Sequence, residues 1–217
     1  MAKILLNVAD ILDRSRSNGP GLRSVVWVQG CTIRCPGCFN PHTHPHKPVR
    51  LIDPRRLADR LLRIPDTDGI TISGGEPFEQ ARACAMLAQA IHQGGRSVMV
   101  FTGYYVEYPA AAPLASVRRL LGSIDLLIAG PYVKALAGTV DQWRSSSNQT
   151  IHALTDRYRD QLGSAMSTEP MVEIATDGAS RMETGFPDAR DRRWIDEITS
   201  AGLTSTNRKI ARERIIA

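Results

Sequence analysis

The sequence predicts an α/β fold in which the strands of a parallel sheet are joined by crossover helices. Short apolar runs alternate along the chain with longer segments of helical periodicity, which is the order of β-α-β units. Four of the apolar runs stop at glycine, as "VQG", "SGG", "FTG" and "IAG". Functional sites in parallel α/β folds lie beyond the carboxyl ends of the strands, so we expect a site where these runs end.

The predicted strands are short and rich in branched apolar residues. The first is "SVVWVQG" at 24–30, which Cys31 follows directly. The next are "GITISGGEP" at 69–77, "SVMVFTG" at 97–103 and "IDLLIAG" at 124–130, and a fifth is expected near "NQTIHAL". Apolar runs of this length that end at glycine are typical of buried strands.

The predicted helices occupy the segments between these strands. Asp53 is expected to cap a helix that has Pro54 at its first position. A second helix is expected from Pro77 to the glycine pair at 94–95, and a short third helix after Pro113.

The alternation weakens beyond about residue 157, so we expect a core at 1–157 and a C-terminal extension at 158–217. In and around the extension the sequence predicts a linker, "DRYRDQLGSAMSTEP", and a hairpin that turns at Asp177-Gly178, "MVEIATDGASRMETGFP". An amphipathic helix is expected in "DARDRRWIDEITSAG".

Composition and charge describe an ordinary globular protein. The chain has 217 residues, of which 42% are hydrophobic and 23% charged, and its net charge of +5 permits an acidic partner without requiring one. Asp10 and Asp13 interrupt any signal-peptide core, and no run of roughly 18 apolar residues occurs. We therefore expect a cytoplasmic protein that binds neither membranes nor nucleic acid, with its four cysteines reduced.

Three of those cysteines, Cys31, Cys35 and Cys38, lie within eight positions in "VQGCTIRCPGCFN". A structural zinc site uses four protein ligands, usually in two separated pairs, whereas three thiolates fill three of the four irons of a [4Fe-4S] cluster. The cysteine pattern favours such a cluster, whose fourth iron is left open to a substrate or cofactor. Gly37 lets the loop turn close to the sulfur atoms.

Two other groups of residues keep alternatives open. "NPHTHPH" offers His42, His44 and His46, so a Cys3His zinc site remains an alternative to the cluster. Cys84 lies on the apolar side of its predicted helix and is expected to be a buried free thiol.

The spacing Cys-x3-Cys-x2-Cys resembles that of the radical S-adenosylmethionine (radical SAM) superfamily. Within it, the order and rough spacing of five segments resemble the activating proteins of anaerobic ribonucleotide reductase over about residues 17–153. The segments are "GPGLRSVVWVQGCTIRCPGCFN", "TISGGEP", "VMVFTGY", "DLLIAGPYV" and "DQWRSSSNQTIH". The resemblance implies a partial, or incomplete, α/β barrel of the radical SAM type with a C-terminal extension.

The resemblance also implies which residues bind the cofactors. Cys31, Cys35 and Cys38 would ligate the [4Fe-4S] cluster, and S-adenosyl-L-methionine would chelate the fourth iron. The candidates for binding S-adenosylmethionine are Phe39, Asn40, Ser73, Gly74, Gly75, Glu76, Thr102 and Asn148.

These candidates have different expected roles. The strand edge "SGGE" would meet the methionine amino group, because glycines expose backbone carbonyls and a carboxylate suits an ammonium group. Phe39 and Asn40 would approach the adenine. Thr102 and Asn148 are expected at or near predicted strand ends, where they could line the cavity or form ordinary turn hydrogen bonds. Asp125 could hold a ribose hydroxyl or be a solvated acid.

The function that the resemblance implies is reductive cleavage of S-adenosylmethionine to a 5′-deoxyadenosyl radical. The implied protein substrate is a glycyl-radical enzyme such as anaerobic ribonucleotide reductase, and the implied electron donor is flavodoxin or ferredoxin. The small size of the chain favours a protein substrate, because little material remains for an elaborate small-molecule pocket. The alternatives are a radical SAM enzyme with a small-molecule or peptide substrate and a noncatalytic iron-sulfur or zinc-binding module.

Overall fold

The computed structural model describes residues 3–106, 114–137, 143–163, 172–176 and 181–185. Its seven-stranded sheet contains β1 Leu6–Ser15, β2 Arg23–Val28, β3 Arg50–Ile52, β4 Gly69–Gly74, β5 Ser97–Thr102, β6 Leu126–Ala129 and β7 Thr150–Ala153. A separate pair contains β8 Val172–Thr176 and β9 Arg181–Gly185. The α-helices of the described part are α1 Pro54–Leu62, α2 Ala81–Gln93, α3 Leu114–Leu121 and α4 Arg159–Gly163.

The large sheet has the strand order β3-β1-β2-β4-β5-β6-β7. The four strands β2, β4, β5 and β6 are parallel, as the sequence predicts. The expected fifth strand is β7, but it pairs antiparallel to β6. The α/β class is therefore confirmed, while the sheet is parallel only in its centre.

Two strands of the sheet, β1 and β3, were not predicted from the sequence. β1 pairs antiparallel with both β2 and β3. Its register shifts between Val8 and Asp10 and again between Leu12 and Ser15, and such bulges interrupt the two-residue periodicity by which a strand is predicted. β3 has only three residues, too few for a periodic signal.

The predicted helix boundaries are largely confirmed. Asp53 caps α1 by accepting hydrogen bonds from the backbone N–H groups of Arg55 and Arg56, and Pro54 is the first helical residue. The second helix is shorter than expected, because Pro77–Gln80 forms a 3₁₀ turn and α2 begins only at Ala81. Gly94 ends α2, and α3 begins directly after Pro113.

The sheet presents two chemically different faces, since successive residues of a strand point to opposite sides. One face packs against α1, α2 and α3 in a continuous apolar core. The strands contribute to it Val26, Val28, Ile70, Ile72, Val98, Val100, Leu127 and Ala129. The other face carries Met99, Leu126 and Ile128 under Trp143 and Tyr158, and polar side chains such as Arg23 and Thr71.

The structure both supports and corrects the predictions for the extension. β8 and β9 pair antiparallel as the predicted hairpin requires, and its turn at 177–180 lies outside the described residues. The predicted linker is wrong at its start, where Asp156–Tyr158 and α4 are helical and Tyr158 is buried. Residues 164–170 and the predicted helix at 188–202 lie outside the described residues. Within the described part, no helix is long and apolar enough to cross a membrane.

Candidate functional site

A cavity of about 490 Å³ lies over the carboxyl ends of the parallel strands, where α/β folds bind ligands. Trp27, Ser73 and Phe101 line it from β2, β4 and β5. Trp27 alternates along β2 with Val26 and Val28, which belong to the core under the helices. The cavity therefore opens on the face of the sheet that the helices do not cover.

The cysteine loop forms one wall of this cavity, and all three of its cysteines line it as free thiols. The loop begins just after β2, where the N–H of Gly30 donates to the Thr43 carbonyl (2.7 Å) and the N–H of Cys31 to the His44 carbonyl (3.1 Å). Gly37 adopts a positive φ of 79°, which turns the loop between Cys35 and Cys38.

Burial controls the protonation of two of these thiols. It raises the pKa of Cys31, and the N–H groups of Arg34 and Ile33 only partly oppose it. Burial also raises the pKa of Cys38, against a hydrogen bond from the N–H of Asn40. The raised pKa values favour the thiol form of both residues, and a bound metal would supply the positive charge that favours the thiolate.

The donor set is compatible with a [4Fe-4S] cluster. Among the residues that the structure describes, no three His, Cys, Asp or Glu side chains converge where one metal ion could sit. Each cysteine around a [4Fe-4S] cluster binds a different iron, so its thiols need not meet at one point. Three thiols spread along one loop and facing one cavity suit the cluster.

The nearby histidines contribute little to this wall. Of the three, only His44 lines the cavity, and burial lowers the pKa of its imidazole. His46 instead places its Nε2 2.8 Å from a carboxylate oxygen of Glu79, whose other oxygen accepts a hydrogen bond from the N–H of Thr32. Glu79 thus links His46 to the start of the cysteine loop at Thr32.

The glycine pair at the end of β4 allows close backbone contact. A Cβ at Gly75 would lie 2.3 Å from the Gly30 carbonyl oxygen, and one at Gly74 would lie 2.7 Å from the backbone nitrogen of Val28. Gly74 also has a positive φ of 95°. The close packing of this strand edge against the end of β2 and the start of the cysteine loop therefore explains why both positions are glycine.

Glu76 is a buried carboxylate that joins the ends of two neighbouring strands. It accepts hydrogen bonds of 2.8 Å from the N–H of Phe78, the hydroxyl of Thr102 and the N–H of Gly103. Burial outweighs these bonds and raises the pKa of Glu76 to about 7. The carboxylate therefore fixes the cavity edge where β4 and β5 end.

Comparison with known proteins agrees with this geometry. The family model of a 4Fe-4S single cluster domain matches residues 17–152. The anaerobic ribonucleoside-triphosphate reductase-activating protein of Salmonella typhi is 33% identical over 149 residues, which cover 63% of this chain and 92% of the relative. The chain belongs to the 4Fe-4S single-cluster family of these activating proteins.

Further relatives with the same name extend this family. The protein of Escherichia coli (strain K12) is 32% identical over 149 residues, with the same coverage of 63% and 92%. That of Enterobacteria phage T4 is 28% identical over 147 residues, covering 64% of this chain and 88% of the relative. The matches span nearly all of these activating proteins but under two thirds of this chain, so this family member carries additional residues.

Most predicted binding residues of this family member lie on the cavity. Phe39, Asn40, Ser73, Gly74, Gly75, Glu76 and Thr102 all line it together with the cysteines. The ring of Phe39 packs at 5.2 Å between centroids against Tyr132, which follows β6. Asn148 is not among the lining residues. Its amide donates to the Pro131 carbonyl, and Gln149 takes the cavity position.

Asp125 lies just before β6, at the amino end of that strand and so at the opposite end from the cavity. It accepts hydrogen bonds from the N–H of Val98 and the hydroxyl of Thr155, and its Oδ2 lies 2.7 Å from Nε2 of His92. Asp125 does not line the cavity, so the structure does not support the predicted contact with a ribose there. Its burial also contradicts the alternative of a solvated acid.

Sequence reasoning missed several residues that line the cavity. Trp27 could have been found, because strand alternation places it opposite the core residues Val26 and Val28. Asn18 precedes any predicted strand, and no local signal marks it. The C-terminal residues Glu183, Thr184 and Gly185 reach the cavity only through the tertiary fold.

Proposed function

We propose that this protein is a radical SAM enzyme of the glycyl-radical enzyme activating type. Cys31, Cys35 and Cys38 hold a [4Fe-4S] cluster, and S-adenosylmethionine binds beside it along the edge Ser73–Glu76. The observation that carries the proposal is that three free thiols from one loop face a cavity that the glycine-glycine-acid edge also lines. The names of the relatives make anaerobic ribonucleotide reductase the leading protein substrate.

The chain's own residues bind and orient these groups. When bound, the cluster and S-adenosylmethionine supply a one-electron reductive cleavage that leads to hydrogen abstraction from the substrate. Phe39 and Tyr132 form an aromatic wall suited to the adenine ring. Trp27 and Phe101 restrict water on the sheet side of the cavity, and Glu76 with Thr102 keeps the cavity edge rigid.

The electron must come from outside the chain, and we propose flavodoxin or ferredoxin as its donor. The net charge of +5 would favour association with an acidic donor protein. This part of the proposal predicts that donor-dependent turnover weakens as ionic strength rises, since salt screens surface charges.

The first test is anaerobic reconstitution followed by analysis of metal and product. Wild-type protein is expected to hold about four irons and to form 5′-deoxyadenosine with dithionite and S-adenosylmethionine. Cys35→Ala should lose most of the iron and the product, whereas Cys84→Ala should keep both because Cys84 is buried in the helical core. Stoichiometric zinc, or full turnover in Cys35→Ala, would reject the proposal.

A second test identifies the substrate. Purified anaerobic ribonucleotide reductase, incubated with the reduced protein and S-adenosylmethionine, is expected to develop the electron paramagnetic resonance doublet of a glycyl radical. Formation of 5′-deoxyadenosine without that signal would retain the radical SAM chemistry and reject this protein substrate. A small-molecule or peptide substrate would then be the alternative.

A further inference from the structure

The C-terminal hairpin β8–β9 is anchored to the loop after β1 by one carboxylate. Oε1 of Glu173 accepts a hydrogen bond from the N–H of Arg16 (2.8 Å). Its Oε2 accepts from the hydroxyls of Ser15 (2.5 Å) and Ser17 (3.0 Å) and from the N–H of Ser17 (3.3 Å). Ser15 and Ser17 are almost fully buried, so these charge-assisted bonds satisfy hydroxyls that water does not reach freely.

The second strand of the hairpin has its own anchor. The hydroxyl oxygen of Thr184 accepts a 2.8 Å hydrogen bond from the side-chain amide of Asn18. Thr184 is the direct cross-strand partner of Glu173, so both side chains project from the same face of the hairpin. Two neighbouring positions thus attach both strands to the segment 15–18.

The anchored hairpin reaches the cluster cavity. Glu183, Thr184 and Gly185 line the same cavity as the three cysteines, and Asn18 lines it beside them. These hairpin residues lie beyond 17–152, the region that the family model matches. The chain therefore adds to its cavity a wall that the matched region does not supply.

We propose that the β8–β9 hairpin is a fixed wall of the cluster cavity and that Glu173 is the positioning residue that holds it in place. The wall limits the size of what can approach the three cysteines, and so helps to determine which substrate enters. This role concerns access, and it goes beyond the chemistry proposed above. It applies whether the substrate is a protein loop or a smaller molecule.

Thiol labelling of the cluster-free protein tests the wall. The probes are N-ethylmaleimide, which is small, and a maleimide carrying a long polyethylene glycol chain, with the labelled cysteines identified by peptide mass spectrometry. In wild type the bulky probe should react with Cys35 and Cys38 much more slowly than the small one. Glu173→Ala should accelerate the bulky probe about tenfold or more, because several charge-assisted hydrogen bonds are lost, while the small probe changes far less.

Three further variants make the result interpretable. Asp59→Ala removes an exposed carboxylate on α1 and should label like wild type. Glu173→Gln retains an acceptor and should fall between wild type and Glu173→Ala. Thr184→Val removes the second anchor with little change of shape and should also accelerate the bulky probe. Hydrogen exchange of the backbone amides at 172–176 and 181–185 should be slow in wild type and Asp59→Ala, intermediate in Glu173→Gln and fastest in Glu173→Ala, and it should also rise in Thr184→Val.

The inference is rejected if the bulky probe labels Glu173→Ala and Thr184→Val at the wild-type rate. It is also rejected if both probes accelerate equally in these variants and buried Cys84 becomes reactive, since that pattern means general unfolding. The cluster-free protein makes this test independent of S-adenosylmethionine cleavage. Failure here would leave the proposed function standing, and absence of 5′-deoxyadenosine would leave the wall standing.

Discussion

Gly75 lines the candidate site and also lies in close backbone contact with the start of the cysteine loop. A Cβ there would lie 2.3 Å from the carbonyl oxygen of Gly30, a backbone atom that cannot rotate out of the way as a flexible side chain can. We expect Gly75→Ala to lower the free energy of unfolding by about 2 kcal/mol, as overpacking in a close contact does. Urea denaturation of the cluster-free protein measures this.

Gly122→Ala is the matched control for that change. Its nearest neighbour would be the Arg118 carbonyl oxygen at 3.5 Å, an ordinary contact distance. We expect its free energy of unfolding to stay within about 0.5 kcal/mol of wild type. Equal destabilisation by the two substitutions would show that the close approach at Gly75 has no special cost.

Asp125 makes stability depend on acid pH. Burial alone would raise the pKa of Asp125, but hydrogen bonds from His92, Val98 and Thr155 outweigh it and lower the pKa to about 2 from the ordinary 3.8. A depressed carboxyl pKa stabilises the fold above the unfolded-state value, and this contribution is lost as pH falls toward the folded value. The relevant window is therefore pH 4 down to 2.

We expect Asp125→Asn to be about 1–2 kcal/mol less stable than wild type at neutral pH, with the difference shrinking as pH falls toward 2. Denaturation curves at several pH values measure the difference. Asp59→Asn, an exposed change on α1, should parallel wild type throughout. A constant difference between Asp125→Asn and wild type down to pH 2 would contradict the assigned pKa.

The residues of the site were predictable to different degrees. The cysteines and the edge Ser73–Glu76 could be found from sequence because their motif is local, and the structure brings them to one cavity. The reason for the two glycines could not be found, because it depends on β4 packing beside β2 and the loop after it. The ligand roles of all these residues remain predictions.

At the scale of elements, the segment that follows β7 is tied to the core through a buried arginine. Arg23, at the start of β2, is fully buried, and burial lowers the pKa of its guanidinium. It donates hydrogen bonds to Thr71, Ser97 and Tyr158, among others. The Tyr158 hydroxyl in turn donates to Ser97 at 2.7 Å. Tyr158 thus attaches its short helical segment to the sheet.

We expect Tyr158→Phe to lower the free energy of unfolding by about 1–2 kcal/mol, because it removes one acceptor from a buried guanidinium and one donor from Ser97. Thermal or chemical denaturation measures the loss. Tyr105→Phe removes a hydroxyl from a side chain that is 41% exposed and should change stability little. If both variants match wild type, the hydrogen bonds of Tyr158 contribute no net stability.

The predictability of elements follows the strength of their periodicity. β2, β4, β5, β6 and the capped helix α1 carry strong local signals, and the structure has them close to the predicted bounds. β1 was missed because its bulges break the alternation, and β7 was found without its antiparallel direction. Direction depends on how the chain returns to the sheet, which a strand's own residues do not encode.

At the scale of the whole molecule, the proposed binding of the cluster and S-adenosylmethionine in one cavity predicts that their binding is coupled. We expect S-adenosylmethionine at about one hundred times its dissociation constant to stabilise the reconstituted protein by about 2.7 kcal/mol against unfolding. Cys35→Ala, prepared in the same way, should lose most of this effect. Differential scanning fluorimetry under anaerobic conditions measures it.

A large stabilisation of Cys35→Ala by S-adenosylmethionine would mean that S-adenosylmethionine binds without the cluster. Cys84→Ala provides the control, because it removes a thiol in the core under the helices and leaves the cavity intact. S-adenosylmethionine should stabilise Cys84→Ala as much as it stabilises wild type. This comparison reports on binding alone and does not require turnover.

The organisation of the whole chain also depends on the extension. The predicted division at about residue 157 remains a prediction, but the hairpin beyond it contacts the segment 15–18 and lines the cavity. The cavity lining therefore includes residues of both the core and the extension. We propose that the core 1–157 needs the extension to complete its site.

The sequence by itself determined the α/β class, the cysteine loop, the glycine-glycine-acid edge and the family to which they belong. All of these are carried by residues close together in the chain, where spacing and periodicity act directly. Only the tertiary structure decided that Asp125 lies at the strand end away from the cavity, that Gln149 rather than Asn148 lines the cavity, and that Glu173 brings a distant hairpin to it. Those outcomes depend on strand order and long-range hydrogen bonds, which join residues up to 166 positions apart and leave no local pattern.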